Sequence, residues 1–201
     1  MRKSKITVKD LCLMALMLAT LIICSKVSFP IGEISITMQT FAIVLISLIL
    51  GFYKTSIVLV IYILLGLIGI PVFSTGGGFA YIFKPSFGYI IGFVFEGMII
   101  SLASKSEKRY LKYILGVIGL VVDYFLGTLY FALLMSYNGA PKEISYILSV
   151  CVTPFIIKDL ISIGIAGIIY SRIKDLIWQP NETYEISYEI IENNNRVEGR
   201  K

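Results

Sequence analysis

The chain has 201 residues and a net charge of +5, with 57 % hydrophobic and 15 % charged residues. Ordinary soluble domains carry about 25 % charged residues. With a mean hydropathy of +0.84, no soluble core could enclose this much apolar surface, so lipid must cover much of it. That excludes a cytosolic enzyme, a secreted disulfide scaffold and a nucleic-acid-binding domain, and the lack of histidine excludes histidine-based catalysis and most zinc or haem sites.

A hydrocarbon layer about 30 Å thick takes roughly 20 helical residues to cross. Six segments approach that requirement: residues 11–29, 37–52, 55–72, 87–104, 111–137 and 147–169. The first follows a basic start and has the look of a signal peptide. It lacks a small-x-small cleavage pattern and more spans follow, so it reads as a retained helix. Ala15 and Ala19 are spaced by four along it and leave a shallow groove for another helix backbone, inside the bundle or on a partner. Cys12 and Cys24, like Cys151 further on, have no metal or redox spacing and read as small buried hydrophobes.

Pro30 and Gly32 end the first span, and Gln39 opens the second with an amide that both donates and accepts hydrogen bonds. After the break at residues 51–54 and the third span comes PVFSTGGGFAYIFKPSFG, residues 71–88. This connection is too apolar for a simple exposed loop. It reads either as a hairpin carrying interfacial aromatics or as a lid over an outward-facing pocket, with Gly76, Gly77 and Gly78 allowing close backbone approach. Three glycines without a following Gly-Lys-Ser/Thr are not a phosphate loop, and no such pattern occurs elsewhere in the chain.

The fourth span carries Gly88-xxx-Gly92 and Glu96, and the fifth carries Asp123. A span charge costs at least about 2.5–3.5 kcal/mol, so each such carboxylate is either a structural ion-pair member or part of a proton path. Asp159 begins the last span just after Thr153-Pro154. It reads as an acceptor for a polar ligand near the outer face, or as the partner of Lys84 or Lys158. Tyr81, Phe83, Phe87, Tyr89, Tyr124 and Tyr130 could wall a pocket or form a membrane-interface belt. After Trp178 the chain turns polar and acidic and reads as a poorly ordered tail.

With six spans, eleven lysines and arginines (2, 3, 5, 9, 54, 105, 108, 109, 112, 172, 174) fall on one side and four (26, 84, 142, 158) on the other. That bias places both termini in the cytoplasm. The expected organisation is a cytoplasmic segment at 1–10, a transmembrane domain at 11–172 and a cytoplasmic tail at 173–201.

Three stretches taken in order, ITMQTF at 36–41, GLIGIPVF at 66–73 and the glycine-rich run into KPSFGYIIGF at 84–93, resemble the BioY family. Pro154, Phe155 and Asp159 complete the pattern, which extends over about residues 8 to 172. These proteins are the biotin-binding S-components of energy-coupling-factor (ECF) transporters. The resemblance implies an all-α membrane protein with six transmembrane helices, a biotin site near the outer face, and a lid made by the first and third external loops. It implies that Gln39, Gly76–Gly78, Tyr89 and Asp159 lie in the ligand region and that Ala15-xxx-Ala19 docks on a transmembrane T-component, with two ABC-type ATPases supplying energy.

One departure is Ser162, where the family typically has a lysine three residues after the last-span aspartate. Lys84, where many relatives have glycine, is expected to replace that cation by pairing with Asp159 or with the ligand carboxylate. Lys158, about 100° round the helix from Asp159, is the poorer candidate. No catalytic residue, metal ligand or cofactor is expected, and the chain is expected in a bacterial plasma membrane. The alternatives are the same fold holding lipoate or a biotin precursor, and a lipid-modifying intramembrane enzyme using Asp123, Glu96 or Asp159.

Overall fold

The computed structural model describes residues 6–31, 34–104, 106 and 108–177. The extreme N-terminus and residues 178–201 of the tail expected at 173–201 lie outside them, while its residues 173–177 fall within the last helix. The chain forms two units, Met1–Tyr170 and Ser171–Lys201. All contacts below belong to the first; the described part of the second continues the last helix from Ser171 to Ile177.

Helix α1 (Val8–Lys26) starts with a reciprocal cap. The Asp10 N–H donates to Thr7 Oγ1 at 3.2 Å and the Thr7 N–H donates to Asp10 Oδ2 at 3.1 Å. Met14, Met17, Leu21 and Ser25 form its buried stripe at helical spacing. Leu11, Leu16 and Ile23 point outward and are more than half exposed, an apolar face suited to lipid. Cys12 is exposed on this helix, because it lies off the buried stripe; of the three cysteines only Cys151 is buried as expected.

Strands β1 (Ser28–Ile31) and β2 (Ile34–Thr37) follow as an antiparallel hairpin, with Phe29 opposite Ile36. The sequence reading gave only a break here. β-Branched residues at Ile34, Ile36 and Thr37 favour the extended backbone that the structure shows.

Helix α2 (Gln39–Leu67) holds the second and third expected spans as two antiparallel arms. A straight helix would separate Gln39 from Tyr62 by about 35 Å, yet Gln39 Nε2 donates to the Tyr62 hydroxyl at 2.9 Å. The reversal is at Gly51, whose φ of 69° and ψ of 177° are open essentially to glycine alone. Side chains from both arms (Ser47, Thr55 and Leu59) consequently meet at Gly97 of helix α3 (Phe87–Ser101).

Helix α4 (Leu111–Tyr137) matches the fifth expected span. The sixth is two helices, α5 (Ile144–Cys151) and α6 (Ile156–Ile177), bent by 40°. Pro154 disfavours helical backbone at Thr153, and the break falls there. By length and composition α1, α2 and α4 each suffice to cross a membrane, the α5–α6 pair does so as a bent span, and α3 is a shorter apolar helix. The six α-helices among the described residues, regrouped as six segments when α2 counts as two arms and the α5–α6 pair as one, form the all-α membrane architecture that the sequence implied.

Small residues bring α3 and α4 together. A methyl group at Gly88 would meet Tyr130 Cβ at 2.4 Å, one at Gly92 would meet Asp123 Oδ1 at 2.1 Å, and one at Gly127 would meet the Tyr89 ring at 2.5 Å. Gly119 in turn receives Glu96. Close backbone approach at such positions is how helices gain packing where lipid removes the hydrophobic drive.

Candidate functional site

At one end of the bundle a small cavity of about 50 Å³ lies between the β2 strand, the starts of α2, α3 and α6, and the middle of α4. Its apolar wall is Ile34, Ile90, Phe93, Phe155 and the rings of Tyr81, Tyr89 and Tyr124, and its charged groups are Asp123, Lys158 and Asp159. The cations at this end are few: Lys26 donates to the Phe73 carbonyl at 2.6 Å and Lys158 to the Thr37 carbonyl at 2.6 Å. Lys54, of the more basic set, instead pairs with Asp10 at 2.5 Å, at the start of α1. The cavity therefore sits at the end that the charge count assigns to the outside.

Asp159 occupies the first turn of α6 and is 2 % exposed. Its Oδ2 accepts the Tyr124 hydroxyl at 2.7 Å, and its Oδ1 forms an ion pair with Lys158. The expected pairing of Asp159 with Lys84 is not what the structure has. Lys84 is exposed, donates to Thr75 Oγ1 at 2.9 Å and lies 4.9 Å from the centre of the Tyr81 ring, outside the cavity lining. Asp159 pairs with Lys158 instead, whose long stem lets the ammonium swing toward the neighbouring carboxylate.

Gln39 lines the cavity with its amide held at both ends. The Thr37 hydroxyl donates to its oxygen at 2.9 Å, and its nitrogen donates to Tyr62. Tyr89 also lines it, donating from its hydroxyl to the Cys151 carbonyl at 2.6 Å. The glycine-rich connection contributes Ser74, Tyr81 and Ser86 rather than the glycines themselves. Gly78 N–H donates to the Gly66 carbonyl at 2.7 Å, and a side chain at Gly77 would strike the Ile70 carbonyl at 2.3 Å. Those residues thus anchor the connection to the end of α2. Val72 O is gripped in addition by Ser25 at 2.5 Å and by Tyr62 at 3.1 Å.

Ser162 is buried but lies outside the cavity lining, on a mainly apolar side groove with Met38, Phe41, Ile157, Ile161 and Ile165 that shares Lys158 with the cavity. Ala15 and Ala19 are both exposed on α1, remote in sequence from every cavity residue. Of the proposed aromatic wall, Tyr81, Tyr89 and Tyr124 are in place, whereas Phe83 points outward, and Phe87 and Tyr130 lie outside the lining. Ser35, Thr40, Ser74 and Ser86 were not signalled by the sequence, because isolated hydroxyls beside breaks are common. Asp123, singled out there only as an intramembrane acid, is part of the wall.

Such a cavity, closed by aromatic rings and bearing a buried ion pair at the end of an apolar helix bundle, defines a membrane-embedded binder of a small polar-and-apolar solute. The match to the BioY family model covers residues 1–179. The chain belongs to the BioY family. It is 35 % identical over 167 residues to the probable biotin transporter BioY of Pyrococcus horikoshii, covering 83 % of this chain and 96 % of that one. It is 32 % identical over 160 residues to the biotin transporter BioY of Thermotoga maritima, covering 79 % and 91 %. A crystal structure of the S-component for biotin from an ECF-type ABC transporter superposes with a TM-score of 0.73 at 26 % identity, covering 84 % of this chain and 92 % of that chain.

Proposed function

We propose that this chain is the substrate-binding subunit of an ECF-type vitamin importer in a bacterial plasma membrane and that its ligand is biotin. Both termini are cytoplasmic in this reading, the cavity opens outward, and the vitamin is delivered inward together with a T-component and two ABC-type ATPases. The observation that carries it is the cavity itself: aromatic walls beside the Asp159–Lys158 pair, in a chain whose relatives are named biotin transporters. The thioether ring of biotin packs on Tyr89, Tyr124 and Phe155, its ureido N–H groups face acceptor oxygens, and its valerate carboxylate takes an ammonium or hydroxyl donors. The hairpin β1–β2 and the connection carrying Ser74 and Tyr81 cover the ligand as a lid. Its work is capture and transport, with no covalent step for its residues to perform.

Mass spectrometry of protein extracted into detergent is expected to find co-purified biotin. Calorimetry on the stripped protein is expected to give saturable binding of biotin with lipoate weaker by at least a hundredfold. Cooperatively melting protein that neither retains nor binds biotin overturns the assignment, and tighter binding of lipoate reassigns the ligand.

A further inference from the structure

Most polar groups of the cavity are already satisfied by the protein. Asp159 gives Oδ2 to Tyr124, and its Oδ1, without a hydrogen-bond partner among the described residues, is held by the ion pair with Lys158. Gln39 uses its oxygen for Thr37 and its nitrogen for Tyr62, and the Tyr89 hydroxyl is spent on Cys151. The Tyr81 hydroxyl lies 3.2 Å from Ser74 Oγ and 3.3 Å from Ser86 Oγ.

Asp123 differs. Its carboxyl forms part of the cavity wall and is 2 % exposed, and its Oδ1 has no hydrogen-bond partner among the described residues. Burying a polar group without a partner costs several kcal/mol in an apolar setting. The fold nevertheless makes room for it, since Oδ1 fills the notch that Gly92 leaves on α3. Glu96, one turn further along α3, also has unpartnered oxygens but does not reach the cavity wall.

We infer that Asp123 is the acceptor that the pocket holds open for an N–H of its ligand, and that it makes the site select a ureido ring over rings lacking that donor. This rests on the assignment of biotin as ligand. A leftover acceptor suits a ligand that brings donors. In biotin the two ureido N–H groups are the donors, while the thioether ring and the valerate chain carry none. An acceptor left unpaired by a ligand without N–H penalises that ligand, which is how sites built for hydrogen bonds discriminate strongly. Asp159 stays engaged by Tyr124 and Lys158, and Asp123 reads one nitrogen.

The test is a binding cycle on the full chain in detergent, using biotin and its two derivatives methylated at one or the other ureido nitrogen. Wild type is expected to bind one methylated form at least thirtyfold more weakly than biotin. Asp123→Val is expected to bind biotin at least thirtyfold more weakly and to treat biotin and that methylated form alike within threefold. Asp123→Asn keeps an acceptor oxygen and is expected to stay within tenfold of wild type for biotin. Glu96→Gln is expected to leave the discrimination unchanged. If Asp123→Val loses its cooperative melt, Asp123→Ser replaces it with the same thresholds. Equal wild-type affinity for all three compounds, an Asp123→Val affinity for biotin within threefold of wild type, or losses that simply multiply would overturn the inference and leave the biotin assignment standing. A wild type that does not bind biotin removes both.

Discussion

Asp159 is buried with a cation whose own side chain is 22 % exposed, an arrangement in which losing the cation hurts more than losing the pair. Removing one member leaves a carboxylate in a poorly solvated place. Lys158→Met is therefore expected to lower stability by about 2 kcal/mol, less than the 3–5 kcal/mol typical of fully buried pairs because water reaches the lysine. It is also expected to weaken ligand binding at least tenfold. Lys84→Met, acting at an exposed site on Thr75 and Tyr81, is expected to change the melting temperature by under 2 °C and affinity by under threefold. Thermal melts and calorimetry in detergent measure both variants, and a Lys84→Met defect as large as that of Lys158→Met would reverse the assignment of the cation. Several cavity residues were legible in the sequence because a polar group inside an apolar run is rare: Gln39 and Asp159 stand out that way, and Tyr89 came with the family pattern. Choosing between two lysines was not legible. It depends on where the connection after Pro71 runs and how far a flexible stem reaches, and neither leaves a mark in residue spacing.

Among the elements, the reversal inside α2 is the most demanding piece of backbone. Gly51→Ala places a Cβ on a backbone with φ of 69° and 3.2 Å from Ser104 Oγ. Strain in such regions costs on the order of 1–3 kcal/mol. The expected result is a melting temperature lowered by several degrees, with biotin affinity falling less than fivefold, because Gly51 lies at the bundle end opposite the cavity. Gly51→Asn is expected to rescue nothing, since asparagine tolerates left-handed helical backbone but not a ψ of 177°. An unaltered melt for either variant would mean that the reversal tolerates another conformation. The span pattern itself was readable, because lengths of apolar sequence set the number of crossings. The hairpin of Ser28–Ile31 with Ile34–Thr37 was not, since two four-residue strands are too short to leave a clear alternation in the sequence. The split of the last span was half visible: Thr153-Pro154 marked the break, but the 40° bend follows from packing.

For the whole molecule, the importer proposed above would use the two faces of α1 to separate binding from transport. Met14, Met17 and Leu21 turn inward, while Ala15 and Ala19 face away from the core on a helix that also exposes the large apolar Leu11, Leu16 and Ile23. Lipid alone does not require two small residues four apart, but another helix packed against that face does. Replacing both by tryptophan fills the groove without touching the cavity, whose described lining begins only at Ile34. The double variant Ala15→Trp with Ala19→Trp is expected to keep its melt and to bind biotin within twofold of wild type in detergent. Its co-purification with a T-component and ATPases, and biotin uptake by cells, are expected to fall at least tenfold. Loss of binding together with uptake would place α1 in the fold of the site instead. Full uptake would move the docking face elsewhere, with the side groove beside Ser162, an apolar surface of Phe41, Ile157, Ile161 and Ile165 that shares only Lys158 with the cavity lining, as the next surface to block.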